Sequence, residues 1–218
     1  VTAGPKLTRP ETIMKTFPDR RFLPVLLMAF LLLPGMALAA PKIGKLAPDF
    51  TAVDSNGKTQ HLADYKGKTV VLEWTNHDCP FVKKHYGAGN MQAQQEEAAA
   101  EGIVWLSIIS SAPGKQGHVS AAEANRLSKE RGAAPAAVVL DPEGDIGKLY
   151  GARTTPHMFL IDDKGILRYK GAIDSIRSAR QADVPKATQY VRLALNEMRS
   201  GKKLSQPVSK PYGCSVKY

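Results

Sequence analysis

Cysteine is scarce in this 218-residue chain: there are two, Cys79 and Cys214. A fold held by several disulfides is excluded, since two cysteines allow one internal bridge at most. A pair within one loop is also missing, because Val82 stands three residues after Cys79. Aromatic residues make up only 7% and do not interleave with the basic ones, so nothing points to nucleic acid. The apolar run Leu23 to Leu33 is about half of the ~20 residues that span a bilayer as a helix. No internal repeat is visible.

That same run has the setting of a secretory leader. Lys15, Arg20 and Arg21 precede it, and Pro34, Gly35 and Ala37-Leu38-Ala39 follow in a small-x-small cleavage pattern. Residues 1–39 are therefore expected to be removed, with Met14 as the true start, although a retained anchor is the alternative. The mature chain would carry no membrane span and would be exported, most simply to a bacterial periplasm. An oxidising compartment makes a Cys79–Cys214 bridge a question from the outset. The net charge is +10, of which residues 1–39 hold +3 and residues from Lys186 onward +6. Basicity thus belongs to the C-terminal helix and tail. A solvated basic face is the plain reading, and docking onto an acidic partner or an anionic membrane face the sharper one.

What is present is an alternation of strands and helices. Phe50 to Val53 and Thr59 to His61 flank Asn56-Gly57 and predict a hairpin. Val70 to Thr75 reads as a buried strand, Pro80 to about Glu101 as helix interrupted at Gly87-Ala88-Gly89, and Ile103 to Ile109 as a second buried strand. This βαβ order implies parallel neighbours with Cys79 at the carboxyl end of the first strand. Ser120 to Arg131 is a helix capped by Ser120 and Glu123 and stopped at Gly132. Ala136 to Leu140 is a strand, and Asp141-Pro142 is expected to start a short helix ending near Gly151. Met158 to Ile161 and Ile166 to Tyr169 flank a second turn, and Lys186 to Arg199 closes as an amphipathic helix. The domain is expected over residues 40–200, with 201–218 a basic tail carrying Cys214.

Cys79 sits where strand gives way to helix, with Pro80 in the first turn. Unpaired N–H groups and the positive end of a helix favour thiolate over thiol. The element order resembles the thioredoxin-like fold, α/β in three layers with a central mixed sheet, helices on both faces and the extra N-terminal hairpin of the peroxiredoxin group. The motifs carrying the resemblance are Ala47-Pro48-Asp49-Phe50, Val70-Val71-Leu72-Glu73-Trp74, Cys79-Pro80-Phe81-Val82 and Tyr150-Gly151-Ala152-Arg153-Thr154-Thr155-Pro156 running into Met158-Phe159-Leu160-Ile161-Asp162. Asn76 to His85 and Gly213 to Tyr218 resemble segments of exported peroxiredoxin-like (redoxin) proteins of the alkyl hydroperoxide reductase and thiol-specific antioxidant type. The resemblance implies a cis peptide bond before Pro156, with Pro156 facing the reactive cysteine and Thr155 offering its backbone to bound polypeptide. It implies a buried proton-handling carboxylate at Glu73, for which a salt-bridged strand residue is the alternative. It departs at Asn76 and Leu72, which stand where peroxiredoxins hold Thr or Ser and Pro, and this weighs against peroxide chemistry.

The activity expected is that of a thiol-dependent oxidoreductase needing no cofactor. Its partners would be a protein or small-molecule thiol or disulfide, an external thiol reductant, and peroxide as a further substrate class. Cys79 would attack as thiolate and leave a mixed disulfide for another thiol to resolve. Cys214 can serve: about 13 residues beyond the last helix extend over roughly 40 Å, against a radius of gyration near ~16 Å for a domain of this length. Three alternatives stay open. A permanent bridge would close a loop of about 135 residues, worth roughly 5 kcal/mol, in a redox-inert module. The thiols could be independent. Cys79 with nearby histidines could hold copper, although a second cysteine in the loop is missing. His77, His85 and His157 read as surface or satisfied histidines, Lys83 and Lys84 as a solvated helix face, and Trp74 and Trp105 as core.

Overall fold

Every position of Val70–Trp74 is buried. A strand with apolar residues on both faces must lie inside a sheet, and this one, β3, lies at its centre. The computed structural model describes residues 1–4 and 40–218; the apolar run of the expected leader and its cleavage site lie outside the described residues, and the account below concerns residues 40–218.

Thr51–Val53 (β1) and Thr59–His61 (β2) pair antiparallel across the Asn56-Gly57 turn. After β3 come Pro80–Gly87 (α1) and Asn90–Ala100 (α2), separated where Gly89 takes φ +68°. Val104–Ile109 (β4), Ala121–Glu130 (α3), Ala137–Leu140 (β5) and Asp145–Tyr150 (α4) follow. The short Thr154–Thr155 (β6) precedes His157–Ile161 (β7), Leu167–Gly171 (β8), Tyr190–Arg199 (α5) and Cys214–Ser215 (β9). The main sheet has the order β5-β4-β3-β7-β8, with β3, β4 and β5 parallel and β7 and β8 antiparallel.

Side chains alternate across this sheet with the strand period of two. Leu72, Trp74, Leu106, Ile108 and Phe159 pack with Phe50, Leu62, Ile146 and Tyr150, so α4 and the N-terminal segment cover that face. Val71, Trp105, Met158 and Leu160 pack with Val82, Tyr86, Met91 and Val191 from α1, α2 and α5 on the other. This is the mixed three-layer α/β fold expected from the sequence.

Two predicted starts shift. Asp141-Pro142 forms a turn, and α4 begins at Asp145; the Asp141 carboxylate accepts from the N–H groups of Ile146 (3.2 Å) and Gly147 (2.9 Å), capping the helix from outside it. Residues Gln181–Lys186 form a 3-10 turn containing Pro185, so α5 starts at Tyr190 rather than Lys186. A proline lacks the N–H that an α-helix interior requires.

Residues 201–218 run along the domain. Ser209 donates its N–H to the Lys170 carbonyl (3.2 Å), Val216 to the Arg153 carbonyl (3.1 Å), and the Lys217 carbonyl accepts from Ala112 N–H (2.8 Å). The Tyr218 hydroxyl donates to the Ala152 carbonyl at 2.7 Å. Its ring lies on Gly147, where a Cβ would come within 2.5 Å of it.

Candidate active site around Cys79

Cys79 is the N-cap of α1. Its loop is shaped by Asn76, whose Oδ1 accepts from the Asp78 N–H (2.9 Å) and whose Nδ2 donates to the Gln116 carbonyl (3.2 Å). Asn76 is thus spent on holding the turn, which a short amide side chain does well. Pro80 occupies the first helical position, where a missing N–H costs nothing.

The sulfur has no exposed surface. As a thiol it donates to the Thr155 carbonyl at 3.0 Å, and it accepts the Cys214 N–H at 3.4 Å. The Thr155–Pro156 bond is cis, as the resemblance implied. Strand β9 lies antiparallel on β6, with Thr155 opposite Cys214 and Thr154 opposite Ser215. Gly213 makes this approach possible. Its φ is +135°, and a Cβ there would fall 2.0 Å from the Thr155 carbonyl oxygen.

Both cysteines are unbridged, and they affect each other in opposite directions. Burial opposes ionisation of Cys79, but hydrogen bonds from the Cys214 thiol and from the N–H groups of Cys214 and Val82 outweigh it and lower its pKa. For Cys214, burial, the hydrogen bond to Cys79 and the Cys79 charge push the pKa up to about 11, with Lys217 opposing. Of the two thiols, Cys79 is therefore the readier to ionise and Cys214 the one that keeps its proton longer.

The structure brings Cys79, Cys214, Thr155 and Pro156 together. Glu73 is placed apart. It is fully buried in β3, as its place in an apolar strand suggested, and its Oε2 accepts from Trp105 Nε1 (2.9 Å), Ser107 Oγ (2.9 Å) and Gln95 Nε2 (3.2 Å), while Tyr86 donates to Oε1 at 3.5 Å. Neither cysteine is among these partners. No lysine or arginine is either, so the salt-bridged alternative is not what surrounds it.

One expectation about the neighbours changes, and two gain detail. Lys83 is exposed, but Lys84 is buried and pairs with buried Asp174 at 2.8 Å, so only one of the two lysines lies on a solvated face. His85 and His157 supply no positive potential. Burial lowers His85 to about 4, with Lys84 adding and Asp174 opposing, and burial aided by Lys170 and Arg153 lowers His157 to about 3. Trp105 is core and also a donor to Glu73. Among the described residues, no group of three or more His, Cys, Asp or Glu side chains is arranged to hold a metal ion.

Residues 43–170 match the AhpC/TSA family model. The chain belongs to the AhpC/TSA family. Membership makes it a redoxin of thioredoxin-like fold and a thiol-dependent oxidoreductase. Cys79, Glu73, Thr155 and Pro156 fall inside the matched segment and Cys214 outside it. Peroxiredoxin-2 of Cricetulus griseus is 33% identical over 145 residues, covering 61% of this chain and 70% of that protein. Among solved structures, an uncharacterized conserved protein from Geobacillus kaustophilus is 24% identical with a TM-score of 0.71, covering 81% of this chain and 92% of the other. A hypothetical protein from Sinorhizobium meliloti 1021 is 23% identical with a TM-score of 0.69, covering 83% and 96%. These two share the redoxin fold.

Proposed function

We propose that this redoxin is an exported thiol–disulfide oxidoreductase in which Cys79 is the nucleophile and Cys214 the resolving thiol. The observation that carries the reading is the pairing of β9 with β6, which sets the Cys214 N–H 3.4 Å from the Cys79 sulfur. Export rests on the leader pattern around Leu23 to Leu33.

The order of events follows from the opposed proton affinities. The Cys79 thiolate attacks a disulfide, forming a Cys79 mixed disulfide and expelling the other half as thiolate. This step removes the negative charge and the hydrogen bond that kept Cys214 protonated. Cys214 then loses its proton more readily, attacks the Cys79 sulfur, and closes the Cys79–Cys214 disulfide as the second half leaves as thiolate. Two equivalents of an external thiol reduce the bridge and reset the pair. Cys214 is thus held inactive until Cys79 has reacted. The Thr155–Pro156 edge is the place for a substrate backbone, and β9 occupies it until displaced.

Peroxide is a second substrate class, supported by the name of the relative in Cricetulus griseus. Attack there would give a Cys79 sulfenic acid and an alcohol, and Cys214 would then form the disulfide with loss of water. The engagement of Asn76 in its own loop favours the disulfide substrate.

Peptide mapping of the mature protein, first without reductant and then after graded reduction by glutathione, tests the reading. A Cys79–Cys214 bridge that forms and reverses in step with the buffer is expected. A bridge that resists reduction makes the pair a staple, and no bridge at any potential ends the two-cysteine cycle. Stopped-flow oxidation with hydrogen peroxide against cystine then separates the substrate classes.

A further inference from the structure

We infer that Lys84, Asp174 and Tyr212 form a latch that positions Cys214 on Cys79. This rests on the resolving role of Cys214 proposed above and assigns the residues that deliver it.

Lys84 and Asp174 side chains have no exposed surface. Two charges withdrawn from water recover their lost hydration only if every remaining donor and acceptor is met. Lys84 Nζ has three hydrogens, and they go to Asp174 Oδ2 (2.8 Å), the Ile176 carbonyl (2.9 Å) and the Tyr212 hydroxyl oxygen (3.3 Å). Asp174 Oδ1 accepts from the Ile176 N–H (3.1 Å) and from the Tyr212 hydroxyl. Tyr212 therefore completes both halves of the ion pair, and it does so from the C-terminal tail.

The surrounding bonds fix their directions. Tyr212 spends its single hydrogen on Asp174, so the contact with His85 Nε2 (3.4 Å) has the imidazole donating. His85 Nδ1 is then the acceptor that Asn90 Nδ2 requires at 2.8 Å. Each member has one role and none is frustrated.

The geometry continues from the latch to the sulfur. Lys84 lies on α1, the helix that Cys79 caps, and Phe81 of the same helix meets the Tyr212 ring edge-on at a centroid distance of 5.7 Å. One residue past Tyr212, Gly213 lies flat against the Thr155 carbonyl, and the next residue is Cys214, its N–H on the Cys79 sulfur. Undocking the tail would strip one partner from Lys84 and one from Asp174 in a dry site. That penalty holds Cys214 down.

The test uses the mature chain carrying Tyr212→Phe, which keeps the ring on Phe81 and removes only the hydroxyl. A core variant outside the latch, Val104→Ala, serves as a control for general destabilisation. Two quantities are read: the equilibrium of the Cys79–Cys214 disulfide in glutathione buffers, giving the effective concentration of Cys214, and the alkylation rate of Cys79 by iodoacetamide in a Cys214→Ser background. Hydrogen bonds to buried charges predict a fall in effective concentration of roughly ten- to a hundredfold in Tyr212→Phe, with a comparable rise in alkylation rate. Val104→Ala should lower the unfolding midpoint and move neither. If Tyr212→Phe matches wild type in both, or Val104→Ala reproduces its shifts, there is no latch. The alkylation arm does not require a disulfide. A wild-type protein that never bridges would therefore refute the resolving role, and with it this delivery, while leaving tail docking itself measured.

Discussion

Two buried carboxylates pack against α1, and they are satisfied in contrasting ways. Glu73 accepts from Tyr86, Gln95, Trp105 and Ser107, neutral donors that belong to α1, α2 and β4 and stay beside it wherever the tail lies. Asp174 is answered by a charged lysine and by Tyr212, 38 residues further along the chain. The first arrangement is sealed within the domain core. The second is completed only when the chain beyond α5 returns to the sheet, so its energy reports on docking as well as on folding.

Removing Lys84 should do the most damage. Lys84→Met leaves Asp174 buried without its cation, and the expected loss is about 3–5 kcal/mol in urea unfolding of the reduced protein. It should also free Cys214, read as a fall in the fraction of Cys79–Cys214 disulfide at fixed glutathione potential. Glu73→Gln is milder. The amide retains an acceptor for Trp105, Ser107 and Gln95 and turns its NH2 toward the Tyr86 hydroxyl, so about 1 kcal/mol is expected from the exchanged hydrogen bond. A disulfide shift in Glu73→Gln equal to that in Lys84→Met would erase the distinction between the two sites.

The smallest effect is the pH dependence of the reduced pair. Cys79 has a lowered pKa when folded, so its contribution is present above the ordinary thiol value of about 8.5 and is lost as pH falls through the folded value. Cys214 is raised to about 11, so its contribution is present below about 8.5 and is lost as pH rises toward 11. The difference in urea midpoint between the reduced wild type and the Cys79→Ser, Cys214→Ser double variant should therefore peak near the ordinary thiol pKa. A difference that only rises with pH would mean that Cys214 is not held protonated.

The sheet and the thiol could be read from the sequence because their signals are local. Apolar runs gave β3 and β4, Pro80 gave the start of α1, and the motif through Pro156 placed the cis bond opposite Cys79 by resemblance. Lys84 could not be read in this way. It stands beside exposed Lys83, and what buries it is Asp174, 90 residues away. The tail has no periodicity to read because it docks residue by residue on a surface already formed. One signal was available: the two resemblance segments, Asn76 to His85 and Gly213 to Tyr218, meet in the structure where Cys214 reaches Cys79.

The Tyr-Gly-Cys spacing at 212–214 acts as a ruler. Tyr212 meets Phe81 of α1 and Cys214 meets the Cys79 sulfur because Gly213, at φ +135°, lets the chain bend against the Thr155 carbonyl between them. A single residue inserted between the two would shift Cys214 by one position against Thr155 while the tyrosine stays bound, and so carry the sulfur off Cys79. For this chain, the count of residues between anchor and thiol matters as much as their chemistry.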